Sequence, residues 1–393
     1  MTRRIESRPI SDQVRKGSYA YFFLLYGSSP PTHLVANLLT VAHSLKSSAY
    51  SVNILVTPDI PNSLKKLIGE SGLFEDAVVV EYIMGVDALF KKDWFREVFT
   101  KLHIFNLVQF ERVIFLDLDM VIRDVSDMDD LFKLPIDYAA MENSKSWGSG
   151  ANILDHGQLM GRKCDLINAG LIFCKPDPQL FDILLSDVTT DSDEHVPGMT
   201  PEQFYLARVM AKHLHHISQR FNFEVQLHGG VPLTDRWKRF AFEDVVCFHF
   251  SGGFPLTRIT ELDNPEWGCQ TEKRMISDKW YKEMSESVRK LANERGRLAF
   301  GLWAKQFALA CRFVRNSMNV DSLEERLLLN LVKYGHQDAV TSIPETLVGD
   351  VVEEKIVVRI ESTRLLLVDP ESLELSWHVA KRVPTRPPPR LPS

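Results

Sequence analysis

The sequence is poor in cysteine, has no basic excess and contains no apolar run long enough to span a bilayer. Its five cysteines are scattered, odd in number and never arranged as C-x-x-C. That excludes a zinc framework and suits free thiols in a reducing compartment. Cys174 and Cys247 sit in apolar stretches and read as small buried hydrophobes. With a formal net charge of -6, the chain lacks the basic surface that nucleic-acid binding requires. Residues 19–26 are apolar but too short for a spanning helix, and no small-residue cleavage site follows them. Residues 298–314 are interrupted by Lys305, Gln306 and Arg312, which favours a buried or amphipathic helix. With no targeting segment and no membrane span, a cytoplasmic location is expected. The chain has no internal repeat. Gly27-Ser28-Ser29-Pro30-Pro31 is a poor phosphate loop, which speaks against a nucleotidyltransferase.

What is present is an ordinary globular composition, 45% hydrophobic and 25% charged over 393 residues. That length accommodates one domain of about 250 residues plus an appendage. Residues 1–17 read as a flexible arm, 18–270 as an α/β domain, 271–340 as a helical extension, 341–382 as a small β-like segment and 383–393 as a disordered Pro-rich tail. Within the main domain, strands are expected at 19–26, 51–56, 77–82, 112–118, 167–174 and 244–250. Helices are expected from Thr32, as N-cap, through Leu45, and at 63–68, 94–107, 179–185 and 202–214, the last started by Pro201. The alternation implies a mostly parallel sheet flanked by helices. Residues 142–165, rich in Gly, Ser and Asn, read as a long functional loop. Ser277 would cap a helix carrying Trp280, Tyr281, Met284, Val288 and Leu291. Another helix is expected near 323–332, and residues 355–360 and 365–368 would pair as a hairpin. The tail Arg386-Pro387-Pro388-Pro389-Arg390-Leu391-Pro392 fits the R-x-x-P-x-x-P pattern of an SH3-type partner, or is simply a disordered end.

The most informative stretch is Val113-Ile114-Phe115-Leu116-Asp117-Leu118-Asp119. Its apolar run reads as a buried strand. In an extended chain residues i and i+2 share a face, so Asp117 and Asp119 would point the same way at the strand's C-terminal end. In open α/β sheets that is where ligands bind. Two like charges side by side repel unless a cation lies between them, and hard oxygen ligands suit Mg²⁺ or Mn²⁺. The alternative is a strand that ends in a solvated acidic turn.

The order of features around this stretch adds to it. Thr100-Lys101-Leu102-His103-Ile104-Phe105 precedes it, and Asp129-Asp130-Leu131-Phe132 and Asn168-Ala169-Gly170-Leu171-Ile172-Phe173 follow. Pro201-Glu202-Gln203-Phe204 and Phe248-His249-Phe250-Ser251-Gly252-Gly253 complete the series. The succession resembles glycosyltransferase family 8, the glycogenin-like retaining transferases of GT-A fold, over roughly residues 19–256, about two thirds of the chain. The resemblance implies a doubly wound α/β domain that moves a hexose from a nucleotide sugar, a uridine diphosphate sugar, to a hydroxyl on a glycan, lipid or protein.

The same resemblance implies roles. Asp117, Asp119 and His249 would hold Mn²⁺ or Mg²⁺. Lys101 or Arg96 would meet phosphate or sugar hydroxyls, and Leu118 would lie in the donor-binding set. Leu24, Tyr26 and Leu34 correspond to the uridine-binding segment, with Tyr26 placed to stack on the base; for Leu24 and Leu34 core packing is an equal alternative. Asn168 with Ala169 would face donor-sugar hydroxyls. Glu202 would stabilise an oxocarbenium-like centre and Gln203 would orient hydroxyls. Gly252 would let backbone approach a phosphate. Two departures stand out. The family's Lys-Pro-Trp is replaced by Pro255-Leu256-Thr257, so the lysine's role is vacant or passes to Arg258. No tyrosine occurs in residues 221–233, where glycogenin modifies itself. A catalytically weak interaction module on the same fold is therefore the competing reading.

Overall fold

The computed structural model describes residues 19–89, 93–142, 167–192, 195, 201–210, 213–225, 240–251, 286–318, 351–352, 355–361, 364–368 and 375–379. The expected arm at 1–17, most of the loop at 142–165, the helix start at Ser277, the helix near 323–332, the Pro-rich tail, Gly252 and Arg258 lie outside the described residues.

The chain opens with β1 (Tyr19–Leu25), α1 (Thr32–Ser44), β2 (Ser51–Val56), α2 (Asn62–Glu70) and β3 (Ala77–Val79). A tightly wound 3₁₀ segment, Asp93–Asn106, leads to β4 (Arg112–Leu116) and β5 (Met120–Ile122). Then come α3 (Val125–Asp130), β6 (Tyr138–Glu142), β7 (Ile167–Cys174), α4 (Pro178–Thr189) and α5 (Pro201–Val209). β8 (His215–Ile217), β9 (Phe223–Glu224), β10 (Cys247–His249) and the long α6 (Glu286–Met318) follow. Four strands end the described chain: β11 (Val351–Val352), β12 (Lys355–Glu361), β13 (Arg364–Val368) and β14 (Leu375–Val379). They form an antiparallel sheet that contains the expected hairpin as β12–β13.

The main sheet has the order β3-β2-β1-β4-β7-β6-β8. The β3-β2-β1-β4 half is parallel throughout. β7 pairs antiparallel with both β4 and β6, and β8 returns parallel to β6. The protein is thus an α/β structure with a mostly parallel sheet flanked by helices. From β1 the chain crosses to β2 on one side and later to β4 on the other. That places a topological switch point between the C-terminal ends of β1 and β4, the usual position of a ligand crevice.

β1 is apolar on both faces because both are covered. Tyr21, Phe23 and Leu25 join the core shared with α1 and α6. Ala20, Phe22 and Leu24 face the core built with Phe99, Leu102 and Phe105. α1 is buried almost all round, including Asn37 and Thr40. The reason is that α6 packs over its outer side, with Trp303, Phe307 and Val314 in the same core. A helix hidden on both sides needs no polar face. The 298–314 stretch is therefore a buried helix, as its pattern predicts. No described helix is long and apolar enough to cross a membrane.

Several boundaries differ from expectation. Thr32 is not the cap of α1; Pro31 takes that place, and its carbonyl accepts from the Leu34 and Val35 amides. α4 shows the usual arrangement, with Asp177 accepting from the Gln179 and Leu180 amides and Pro178 in the first turn. β3 stops at Val79, and Tyr82 instead sends its hydroxyl to Asp59 Oδ1, 3.0 Å away. α5 starts at Pro201 but ends at Val209, short of the expected end at 214; His213 is exposed and His215 lies on β8. The strand expected at 244–250 shrinks to β10. It belongs not to the main sheet but to a second, three-stranded one of order β5-β10-β9.

Candidate functional site

The candidate site forms where the two sheets meet. β4 ends at Leu116, not at Leu118, and the next three residues turn into β5. The turn is held from both sides. The Asp117 amide donates to Gly170 O of β7 at 2.7 Å, and the Phe250 amide donates to Asp119 O at 2.8 Å. Leu118 made the strand look longer than it is; its half-buried side chain packs against the α1–α6 core. Asp117 and Asp119 therefore converge through a pinned turn rather than through strand alternation. In the second sheet Met120 of β5 pairs with His249 of β10, and His249 pairs in turn with Glu224 of β9. That register sets the imidazole against the turn.

Asp117, Asp119 and His249 each offer one ligand atom, and these atoms all lie within 4.8 Å of one another. His249 Nε2 is 3.2 Å from Asp119 Oδ1. Two ligand atoms at right angles on a cation with bonds of about 2.1 Å would be about 3.0 Å apart, so the separation fits a shared ion of that size. The two carboxylates are hard oxygen ligands that suit Mn²⁺ or Mg²⁺, and the imidazole adds a softer third donor. Burial would push the Asp119 carboxyl up, but His249 and, more weakly, Lys101 hold it below its ordinary value. Burial would lower His249, yet Asp119 outweighs it and the imidazole is raised. The two groups thus hold each other in their charged forms. His33, near the start of α1, feels Asp119 as well, although burial dominates and lowers it.

A second cluster adjoins the first. Lys101 Nζ lies 3.2 Å from Asp117 Oδ1 and 3.4 Å from Glu202 Oε1. Both Lys101 and Glu202 are buried. Desolvation would lower the ammonium, but Asp117 and Glu202 together raise it, so the lysine stays charged. A buried cation held between two carboxylates is costly to break on one side, so its geometry is firmly specified. Half-buried Tyr26, just past β1, lies within the field of Lys101, Asp117 and Glu202; burial raises its hydroxyl. Gly27 follows with φ +98° and donates its amide to Thr57 Oγ1 at 3.2 Å. Its positive φ lets the chain turn away at the switch point.

The remaining expected residues are distributed differently. Asn168 on β7 is buried, and its partners are protein groups rather than open space. Its Nδ2 donates to Glu224 Oε1 at 2.7 Å, and its Oδ1 accepts from the Gly170 amide at 2.9 Å. Ala169 is fully buried, and Leu24 is core. Leu34 packs half-buried against the α1–α6 core. Gln203 is half-buried on α5 beside Glu202. Arg96 pairs with Asp87 at 2.5 Å.

Three contributors escaped the sequence reading: Asn222, Glu224 and Gly170. Asn222 and Glu224 flank Phe223 in a polar–apolar–polar alternation that would have placed two polar residues on one face. β9 is only two residues long, too short for periodicity to register. Gly170 was visible only as part of a motif. A Cβ there would come 2.4 Å from His249 Cε1, so the imidazole occupies the space a side chain would need.

No protein-family model matches the chain. It is 27% identical over 255 residues to the uncharacterized protein R707 of Acanthamoeba polyphaga mimivirus, covering 62% of this chain and 84% of the relative. Among solved structures, the bifunctional glycosyltransferase WbbM overlaps 69% of this chain at 13% identity with a TM-score of 0.42. This chain spans about half of WbbM, 53% of its length. The galactosyltransferase LgtC, solved with donor and acceptor sugar analogues, overlaps 67% of this chain and 100% of its own at 13% identity with a TM-score of 0.37. Likenesses of that size do not bear on what this chain does.

Proposed function

We propose that the protein is a metal-dependent glycosyltransferase of the GT-A type. It would move a hexose from a uridine diphosphate sugar to a hydroxyl acceptor with retention of configuration. The observation that carries the reading is the convergence of Asp117, Asp119 and His249 at the switch point between β1 and β4. A divalent cation held there would neutralise negative charge as the diphosphate departs. Lys101, fixed between Asp117 and Glu202, would stand beside the same phosphates. Glu202, a buried carboxylate, would face the sugar centre as positive character develops. Gln203 would orient sugar hydroxyls, and Tyr26 would stack on the uracil.

Calorimetric titration with uridine diphosphate tests the donor. Binding should require Mn²⁺ or Mg²⁺ and disappear with chelator. Tight metal-free binding, or preference for an adenine nucleotide, would refute it. A screen of nucleotide sugars for slow Mn²⁺-dependent donor hydrolysis separates an enzyme from a binding module on the same scaffold, because hydrolysis needs no acceptor. A module would bind the donor and leave it intact.

A further inference from the structure

We propose that Asn222 is a positioning residue that fixes which nitrogen of His249 faces the cation; the proposal rests on the metal reading above. It follows from the polarity of a buried hydrogen-bond chain. The Gly170 amide can only donate, so the Asn168 atom 2.9 Å from it must be the carbonyl oxygen. The Asn168 NH₂ then faces the Glu224 carboxylate, an acceptor, at 2.7 Å. Both ends of Asn168 therefore agree on one orientation. Asn168 Oδ1 also lies 3.0 Å from the Asn222 amide, and the Asn168 backbone oxygen lies 3.4 Å from it. Two acceptors on that side require the Asn222 NH₂ there. The Asn222 oxygen is left facing His249 Nδ1 at 2.8 Å. An oxygen acceptor needs a proton on Nδ1, so Nε2, 3.2 Å from Asp119 Oδ1, is the nitrogen that would give up its proton and offer its lone pair to a cation shared with Asp119.

The chain is shielded from solvent. Asn222 is 0% exposed, and Asn168, Glu224 and His249 are nearly as deeply buried. Water cannot supply a substitute acceptor for Nδ1. Gly170 adds a steric limit, since a Cβ there would collide with the ring. Hydrogen-bond polarity therefore sets the tautomer, and shape sets the ring position. Such supporting partners typically alter metal affinity by about 10–100-fold when removed.

The test uses the full chain and MnCl₂ alone, read by calorimetric titration and by loss of the free Mn²⁺ EPR signal. Asn222→Leu, similar in shape but apolar, should weaken binding by about 10–100-fold. In a His249→Ala background the same change should do little, because it acts through the imidazole. Losses that simply add in the double variant would overturn the proposal. Unaltered Mn²⁺ affinity in Asn222→Leu would overturn it while leaving the metal reading intact; a wild-type chain that binds no Mn²⁺ would remove both. Should Asn222→Leu fail to fold by circular dichroism, ¹⁵N-histidine spectra of the Mg²⁺-loaded wild type decide. A proton on Nδ1 of His249 with Nε2 bare is expected, and a proton on Nε2 overturns the assignment.

Discussion

The α1–α6 layer and the junction of the two sheets are both buried, yet they bury different things. The layer is filled with Leu39, Ala42, Trp303, Phe307 and Val314; of its polar exceptions Thr40 turns to its own helix and His43 to Gln306, whereas the buried Asn37 amide has no hydrogen-bond partner among the described residues. The junction hides Lys101, Asn168, Glu202, Asn222, Glu224 and His249, bonded largely to one another. Apolar contact is non-directional and supplies most of the stability. A buried polar network holds angles and tolerates little change. The difference suggests that the layer stabilises the fold while the junction sets chemistry, so mutations in each should fail in different assays.

The largest expected effect lies in the layer. Trp303→Ala removes a fully buried ring and should lower unfolding free energy by about 3–5 kcal/mol in urea titrations. Mn²⁺ affinity of the folded fraction should survive, and a parallel loss of affinity would erase the contrast. Next is Asp119→Asn, which keeps shape but removes one ligand charge. Donor turnover should fall at least about a hundredfold, while the variant still folds; full retention of turnover would defeat the metal assignment. A step smaller is Gly170→Ala, whose Cβ would collide with His249. Mn²⁺ affinity should drop roughly tenfold through displacement of a ligand, and an unchanged affinity would show that the ring has room to spare.

The smallest effect concerns pH, and the two regions should differ in sign. Burial lowers His43, despite the bond with Gln306, below its ordinary 6.5. The unfolded chain then takes up a proton more readily, so the stability from keeping His43 neutral is present above 6.5 and lost as pH falls toward the lowered value. For His249, burial is outweighed by Asp119 and the group is raised. Its contribution in metal-free protein is complete below the ordinary 6.5 and is lost as pH rises through the raised value. Melting curves from pH 5 to 8 with chelator should flatten on the acid side in His43→Gln and on the neutral side in His249→Ala. Identical profiles for the two variants would remove the distinction.

The parts legible in the sequence were those settled by local pattern. β2 and β7 fall on the expected residues, and β1 ends one residue early, because short apolar-rich runs bounded by polar and turn residues admit few readings. β4 was overextended because Leu118 is apolar and half-buried, although the backbone had already turned. The membership of β10 in another sheet could not be read, since its partners, β5 and β9, are set by distant pairing. Asp117, Asp119 and His249 could be singled out because their residue types are conspicuous beside apolar runs. The orientation of Asn168 could not, because the groups that satisfy it, Asn222 and Glu224, lie more than fifty residues away.

The turn carrying Asp117 and Asp119 hangs from one sheet by the Asp117 amide and from the other by the Phe250 amide. The second sheet has strands of only two or three residues. Its local opening would separate the carboxylates from His249 while the seven-stranded sheet stayed closed. The lifetime of the assembled site would then be a property of that small unit and not of the whole chain. Deuterium exchange reads it directly: a Phe250 amide that exchanges much faster than the Asp117 amide would mean that the site disassembles and reforms many times between global unfolding events.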